Sequence, residues 1–264
     1  MIPYFVFNNI NSLDRGIVVN KLPPIIKAER NINKIEVVGR NGFLTQDYNT
    51  YKSFVKPVEC TLMDMTRIDE VCAWLAGSSD VIFSNEENKV YKATIINQIP
   101  FERIIPEVSE FIIQFECQPF KYDRYDTEII KITENNVTRN SKVIHPLVAL
   151  NYTGGNLVEI NKMATINESN SMEIFNSGTM ESKPTITIYA TGDVTLNINE
   201  ETIKLKNVEN YITLDSEMME CYKDVSPQNN KMYGKFPILK TGKNIISWEG
   251  HLKLIKIKKN TCYL

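Results

Sequence analysis

The sequence predicts a mainly β protein with one amphipathic helix. Three observations carry that prediction. Short runs of alternating or β-branched residues, punctuated by polar turns, recur along the chain; a single segment changes to the helical period; and the second half spaces its strands as a β-sandwich does.

Tyr4–Phe7 reads as a first strand closed by Asn8–Ser12, and Ile17–Val19 as a second, ended by Pro23 and Pro24. Ile32–Val38 runs as a strand into Gly39-Arg40-Asn41-Gly42. Phe54–Leu62 alternates imperfectly, with Val58, Cys60 and Leu62 apolar and Lys56, Glu59 and Thr61 assigned to solvent. In Thr66–Gly77 the apolar residues Ile68, Val71, Cys72 and Leu75 fall at i, i+3, i+4 and i+7. Thr66 is placed to cap that helix, Asp69 and Glu70 favour its positive end, and Gly77 suits its stop. Residues 81–96 read as a hairpin turning at Asn85–Asn88, and Glu110–Cys117 as a strand ending at Pro119. In the second half the predicted strands are Thr185–Ala190, Val194–Ile198, Thr202–Leu205, Tyr211–Asp215, Asn244–Trp248 and Leu252–Ile257. The expected organisation is residues 1–132 as one β domain, 133–175 as a linker or insertion, and 176–264 as a β-sandwich.

Composition narrows the function classes. The chain has 264 residues, 30 basic against 32 acidic, for a net charge of -2, so no global field draws it to nucleic acid. No apolar run reaches the roughly 18 residues of a membrane span, and the start, Met1–Gly16, reads as a strand rather than a signal peptide. Cys60, Cys72, Cys117, Cys221 and Cys262 are odd in number and scattered, which fits reduced thiols rather than a disulfide frame.

Catalytic equipment is not visible. His145 and His251 lie far apart without Cys or carboxylate at ligand spacing, so neither a metal nor a cofactor is expected. No Ser elbow or Cys–His pairing occurs, and the acidic pairs Glu86-Glu87 and Glu200-Glu201 sit at turns. Gly39-Arg40-Asn41-Gly42 could cradle phosphate, but a P-loop needs Lys-Ser/Thr and a helix next, and Phe43-Leu44-Thr45 is strand-like. A hairpin turn with positive-φ glycines is the better reading. Lys253, Lys256, Lys258 and Lys259 read as the outer face of a strand.

Several blocks, in order, resemble the distal tail proteins of long-tailed phages of Gram-positive hosts and related prophage components. They are Phe7-Asn8 with Ser12–Val19, Ile35–Thr45 around the glycine pair, and Ala73-Trp74-Leu75 with Gly77, Val81–Ser84 and Tyr91–Ala93. Phe115–Phe120 follows, then Pro184–Tyr189, Gly192–Val194, Tyr211–Glu217, Asn229–Pro237, Leu239-Lys240 and Gly242–Trp248.

The resemblance implies a ring-forming N-terminal domain and a galectin-like C-terminal sandwich. It implies a homo-hexameric hub in the virion tail, made in the host cytoplasm. The expected partners are the tail tube protein, a tail-associated tip protein, and baseplate or receptor-binding proteins, with DNA only in transit and no membrane anchor. In that setting Gly39, Arg40, Asn41 and Gly42, within the 36–51 hairpin, are the expected subunit contact. No enzymatic activity is expected. The competing class is a carbohydrate-binding module for cell-wall glycan, with Trp248, Tyr189, Tyr211 or Tyr222 stacking on sugar; Trp248, in an apolar strand, reads as core.

Overall fold

A computed structural model describes residues 2–105, 107–133, 136–141, 164–166 and 170–264. The chain divides into two units, residues 1–124 with Leu264, and residues 125–263. The fold is mainly β, and every ladder among the described residues used below is antiparallel.

The first unit contains β1 (Phe5–Phe7), β2 (Ile10–Asn11), β3 (Ile17–Lys21), β4 (Arg30–Glu36), β5 (Phe43–Tyr51) and β6 (Phe54–Leu62). Helix α1 (Ile68–Trp74) follows, then β7 (Ser78–Phe83), β8 (Lys89–Ile95), β9 (Glu102–Ile105) and β10 (Val108–Asp123). The main sheet runs β2-β1-β7-β8-β10-β6-β3, with β9 also paired to β10. The alternation in β10 points Phe111, Ile113, Phe115 and Cys117 inward, against Phe5, Phe7 and Phe83. Phe5 stacks on Trp74 at 5.6 Å, and Trp74 closes the other side of this core by donating its indole N–H to the Phe7 carbonyl at 3.0 Å.

The helix lies where its period predicts, with two differences. Asp64, not Thr66, caps the preceding 3-10 turn, its Oδ1 accepting from the Thr66 N–H at 2.9 Å. The buried stripe is Val71, Trp74 and Leu75, while Cys72 is exposed. Trp74 is large enough to claim the face beside Val71, which turns Cys72 outward.

The second unit contains β11 (Thr127–Thr133), β12 (Asn136–Ser141), β13 (Ala164–Ile166), β14 (Ser171–Asn176), β15 (Thr185–Ile198) and β16 (Glu201–Asp215). It continues with β17 (Glu220–Lys223), β18 (Ser226–Pro227), β19 (Met232–Tyr233) and β20 (Gly242–Lys258). The sheet order is β13-β12-β11-β20-β15-β16-β17-β18, with β14 on β20 and β19 on β16. Because β11 pairs with β20, residues from 125 onward fall in this unit, rather than the first domain reaching 132. β14 likewise, but for its last residue, Asn176, lies within the segment expected as linker or insertion; residues 134–135, 142–163 and 167–169 of that segment lie outside the described residues.

Six predicted short strands are here three long ones. The stretches expected to separate these pairs hold bulges instead: β15 bends without breaking at Gly192-Asp193, β16 at Lys206-Asn207 and β20 at Gly250. Asp193 braces one corner, its Oδ1 accepting from the Asn207 N–H at 3.0 Å and its other oxygen paired with Lys206. Gly250, at φ +113°, lies so close across the ladder that a Cβ there would sit 2.5 Å from the Asp193 carbonyl oxygen. The bends let both halves of the long strands cover one core. Ile186, Ile188, Leu214, Ile255 and Ile257 come from one half, and Leu196, Ile198, Ile203, Ile246 and Trp248 from the other. Trp248 is 2% exposed, as its apolar strand predicts. The terminal lysines follow their predicted outer face except Lys259, which is buried and reaches the Phe175 carbonyl at 3.1 Å and the Glu128 carboxylate at 3.2 Å.

Candidate functional site

Within the first unit, β4 and β5 pair, among the described residues, only with each other, as a two-stranded ribbon. Gly39-Arg40-Asn41-Gly42 lies at its tip and is exposed throughout. The Arg40 N–H donates to the Val37 carbonyl at 3.1 Å, closing a four-residue turn whose third position, Gly39, has φ +83°. A type II turn requires that positive φ, which glycine adopts without strain. No atom stands within 4 Å of a Cβ built at Gly39 or Gly42, so these glycines serve chain direction rather than close approach. The residues after the tip continue as β5, so the helix that a phosphate cradle needs does not follow.

The ribbon is unusual in what it leaves uncovered. Ile35 and Leu44 are direct cross-strand partners on one face; Phe43, paired with Glu36, lies on the other. All three are more than 40% exposed, as are Val37 and Tyr48, and Val38 at the tip is fully exposed at 104%. Apolar side chains thus stand open on both faces of a two-stranded ribbon that has no core of its own. Charges accompany them: Lys34 Nζ lies 4.7 Å from the Phe43 ring centroid, and Arg30 pairs with Asp47 at 3.0 Å. The outer edges of β4 and β5 carry no ladder partner among the described residues.

At its root the ribbon joins the unit through two unequal connections. The outgoing chain passes from Tyr51 straight into β6, with Tyr51 edge-on to Phe120 at 5.7 Å. The incoming chain, residues 22–29, has no strand or helix. The Lys52 N–H donates to the Glu29 carbonyl at 2.9 Å and closes the base. Two side chains hold the incoming segment: Asn85 Nδ2 donates to the Pro23 carbonyl at 3.0 Å, and Lys56 Nζ to the Pro24 carbonyl at 2.8 Å.

Sequence reasoning assigned Lys56 to solvent, and the structure corrects that. Lys56 has the inward parity of Val58, Cys60 and Leu62 and is 1% exposed. Its ammonium lies 4.7 Å from the Tyr91 ring and 5.3 Å from the Phe83 ring. Burial holds the Lys56 pKa below its ordinary value, and the nearby Glu86 carboxylate partly opposes that. Glu86 in turn accepts from the Tyr91 hydroxyl and pairs with Lys121.

The described residues hold no group of three or more His, Cys, Asp or Glu able to bind a metal, and no helix long and apolar enough to cross a membrane. His145 lies outside the described residues, and His251 is exposed.

Comparisons with known proteins agree on the fold. No family model matches the chain. No curated protein matches it. Among solved structures it is similar to the SPP1 Dit (gp 19.1) protein, described as a paradigm of the hub adsorption apparatus of phages infecting Gram-positive bacteria. That match has a TM-score of 0.63 at 11% identity and covers 98% of this chain and 99% of the other. It is also similar to a chain of the phage P2 baseplate in its activated conformation with calcium, at TM-score 0.52 and 11% identity over 97% of each chain. The strontium form of that baseplate gives 0.51 at 11% identity, covering 97% and 98%. The chain therefore has the distal-tail fold along essentially its whole length.

Proposed function

We propose that this chain is a structural, non-enzymatic component of a phage tail, a hub at the distal end of the tail tube. In this reading six copies close into a ring that joins the tube protein to tip, baseplate and receptor-binding proteins, with DNA only in transit. The observation that carries it is the β4–β5 ribbon, apolar on both faces and without another ladder partner among the described residues, in a chain with the distal-tail fold. A ring repeats one heterologous contact, so each copy must offer a projecting element and receive its neighbour's. The ribbon supplies the first, with Gly39, Arg40, Asn41 and Gly42 at its tip.

The mass of the purified chain in solution is the direct test. A six-copy assembly is expected for the full chain. Because Arg30 pairs with Tyr51, residues 31–50 can be replaced by a short turn, and that variant is expected to be a folded single copy. A full chain that stays monomeric at tens of micromolar sinks the ring; a ribbonless chain that still assembles removes the ribbon from the interface.

A second reading, glycan binding by the second unit, rests on Tyr189 and Tyr211. They are cross-strand partners on the outer side of β15–β16, half-exposed, with ring centroids 5.4 Å apart. Trp248 has no part in it, being core. Titration with wall polysaccharide, with and without Tyr189→Ala, decides it.

A further inference from the structure

Lys56 occupies a position that core packing alone would give to an apolar residue. It follows Phe54 and precedes Val58, Cys60 and Leu62 on the inward side of β6, and it is as buried as they are. A buried charge opposes folding through lost hydration, and an apolar side chain of similar volume commonly serves as well or better. What an apolar side chain cannot supply is a donor. Lys56 directs its ammonium to the carbonyl of Pro24, in the segment that enters the ribbon.

The segment needs such a donor. Residues 22–29 make no ladder, and Pro23 and Pro24 have no N–H with which to make one. Their carbonyls are the groups available, and Asn85 and Lys56 take one each. Lys56 belongs to β6, the strand into which the chain returns after the ribbon. Its bond to Pro24 therefore ties the outgoing chain to the incoming chain, while Lys52 and Glu29 close the same loop nearer the ribbon.

We infer that Lys56, with Asn85, is a positioning residue: a clamp that fixes the direction in which the ribbon leaves the unit, so that it meets a neighbouring copy in one orientation. The clamp rests on geometry alone, while its use in assembly rests on the ring reading. A ribbon free to pivot at residues 22–29 would lose orientational order each time it docked and would bind more weakly with every contact residue intact.

The test uses the full chain and two substitutions. Lys56→Met keeps the volume and removes the donor. Asn85→Ala removes the other donor from an exposed turn position, where the core is not at risk. Hydrogen exchange at the amides of Leu22, Ile25, Ile26, Lys27 and Ala28 is expected to quicken about tenfold or more in each variant, with β10 amides unchanged. Assembly mass against concentration is expected to show a dissociation midpoint raised about tenfold or more. Exchange unchanged at 22–29 in both variants overturns the clamp. Faster exchange with an unaltered assembly midpoint overturns its role in assembly. If the parent chain does not assemble, the exchange arm still decides the clamp, and only the ring reading falls.

Discussion

Gly250→Ala should be among the most damaging single-methyl additions available in the second unit. Two effects coincide there. The residue sits at φ +113°, outside the left-handed region that non-glycine residues tolerate, which costs about 1–3 kcal/mol. The added Cβ would lie 2.5 Å from the Asp193 carbonyl oxygen and 3.3 Å from Val194 Cα, both backbone, so the braced bulge must move, for about 1–3 kcal/mol more. The expected loss is about 3–5 kcal/mol. Gly242→Ala is the control, with φ +85° and no atom within 4 Å, so only the conformational part applies, about 1–2 kcal/mol. Each unit holds one tryptophan, Trp74 in the first and Trp248 in the second, so in a Trp74→Phe background fluorescence reports the second unit alone. With a guanidinium slope of about 4 kcal/mol/M, the midpoint should fall by about 1 M for Gly250→Ala and by about 0.4 M for Gly242→Ala. Equal shifts in the two variants would refute the close-approach argument, and a shift below about 0.2 M at Gly250 would refute both parts.

Other outcomes follow from the same geometry. Val38→Asp adds charge to a fully exposed tip, so monomer stability should change by less than about 0.5 kcal/mol. If the tip is covered on assembly, each contact should weaken by about 1.5–3 kcal/mol, read as a rise in the dissociation midpoint. Trp74→Phe removes the indole donor from the Phe7 carbonyl and leaves a gap beside Phe5, for about 2–4 kcal/mol in the first unit, checked by thermal melting. Stability should fall in alkali, as denaturation midpoints at stepped pH would show. Burial pushes the Cys117 thiol from 9.0 up to about 12 and the Cys221 thiol up to about 11, and it raises Cys60 and Tyr91 as well. The folded chain keeps these protons while the unfolded chain loses them, so the contribution of these groups is level well below pH 9 and declines above it, by up to about 1.4 kcal/mol per pH unit for each thiol. Lys56, lowered instead, acts in the opposite sense below 10.5, one lysine against the raised thiols of Cys60, Cys117, Cys221 and Cys262 and the Tyr91 phenol.

Much of the fold was legible because periodicity reports which face meets the core. The 81–96 hairpin and the Glu110–Cys117 alternation appear where the sequence places them, but β10 does not end at Pro119: it runs on to Asp123 across a bulge between Cys117 and Lys121. The bulges were not legible: Gly192-Asp193 and Gly250 carry the same residues a tight turn would, and only the facing strand decides between turning and bending. Lys56 escaped for a related reason. Its inward parity was present in the sequence, but a lysine is ordinarily solvated, and the carbonyl it serves belongs to a segment 32 positions away. The tip of the ribbon was readable from its glycine pair. The ribbon's exposure was not, since Ile32–Val38 has the composition of a covered strand.

The unpaired edges of the ribbon also bear on what happens before any neighbour arrives. A flat, apolar two-stranded ribbon invites indefinite strand addition between identical chains. This one is interrupted. β5 sets Tyr48, Asn49 and Thr50 against the single Asn31, and Asn49 turns through φ +54° with its N–H held by Asp47. Arg30, Lys34, Glu36 and Asp47 place charge of both signs along the strands. A kinked, charged edge disfavours a stack of its own copies. The kink and the mixed charge thereby oppose the seeding of fibres while the chain is still newly made.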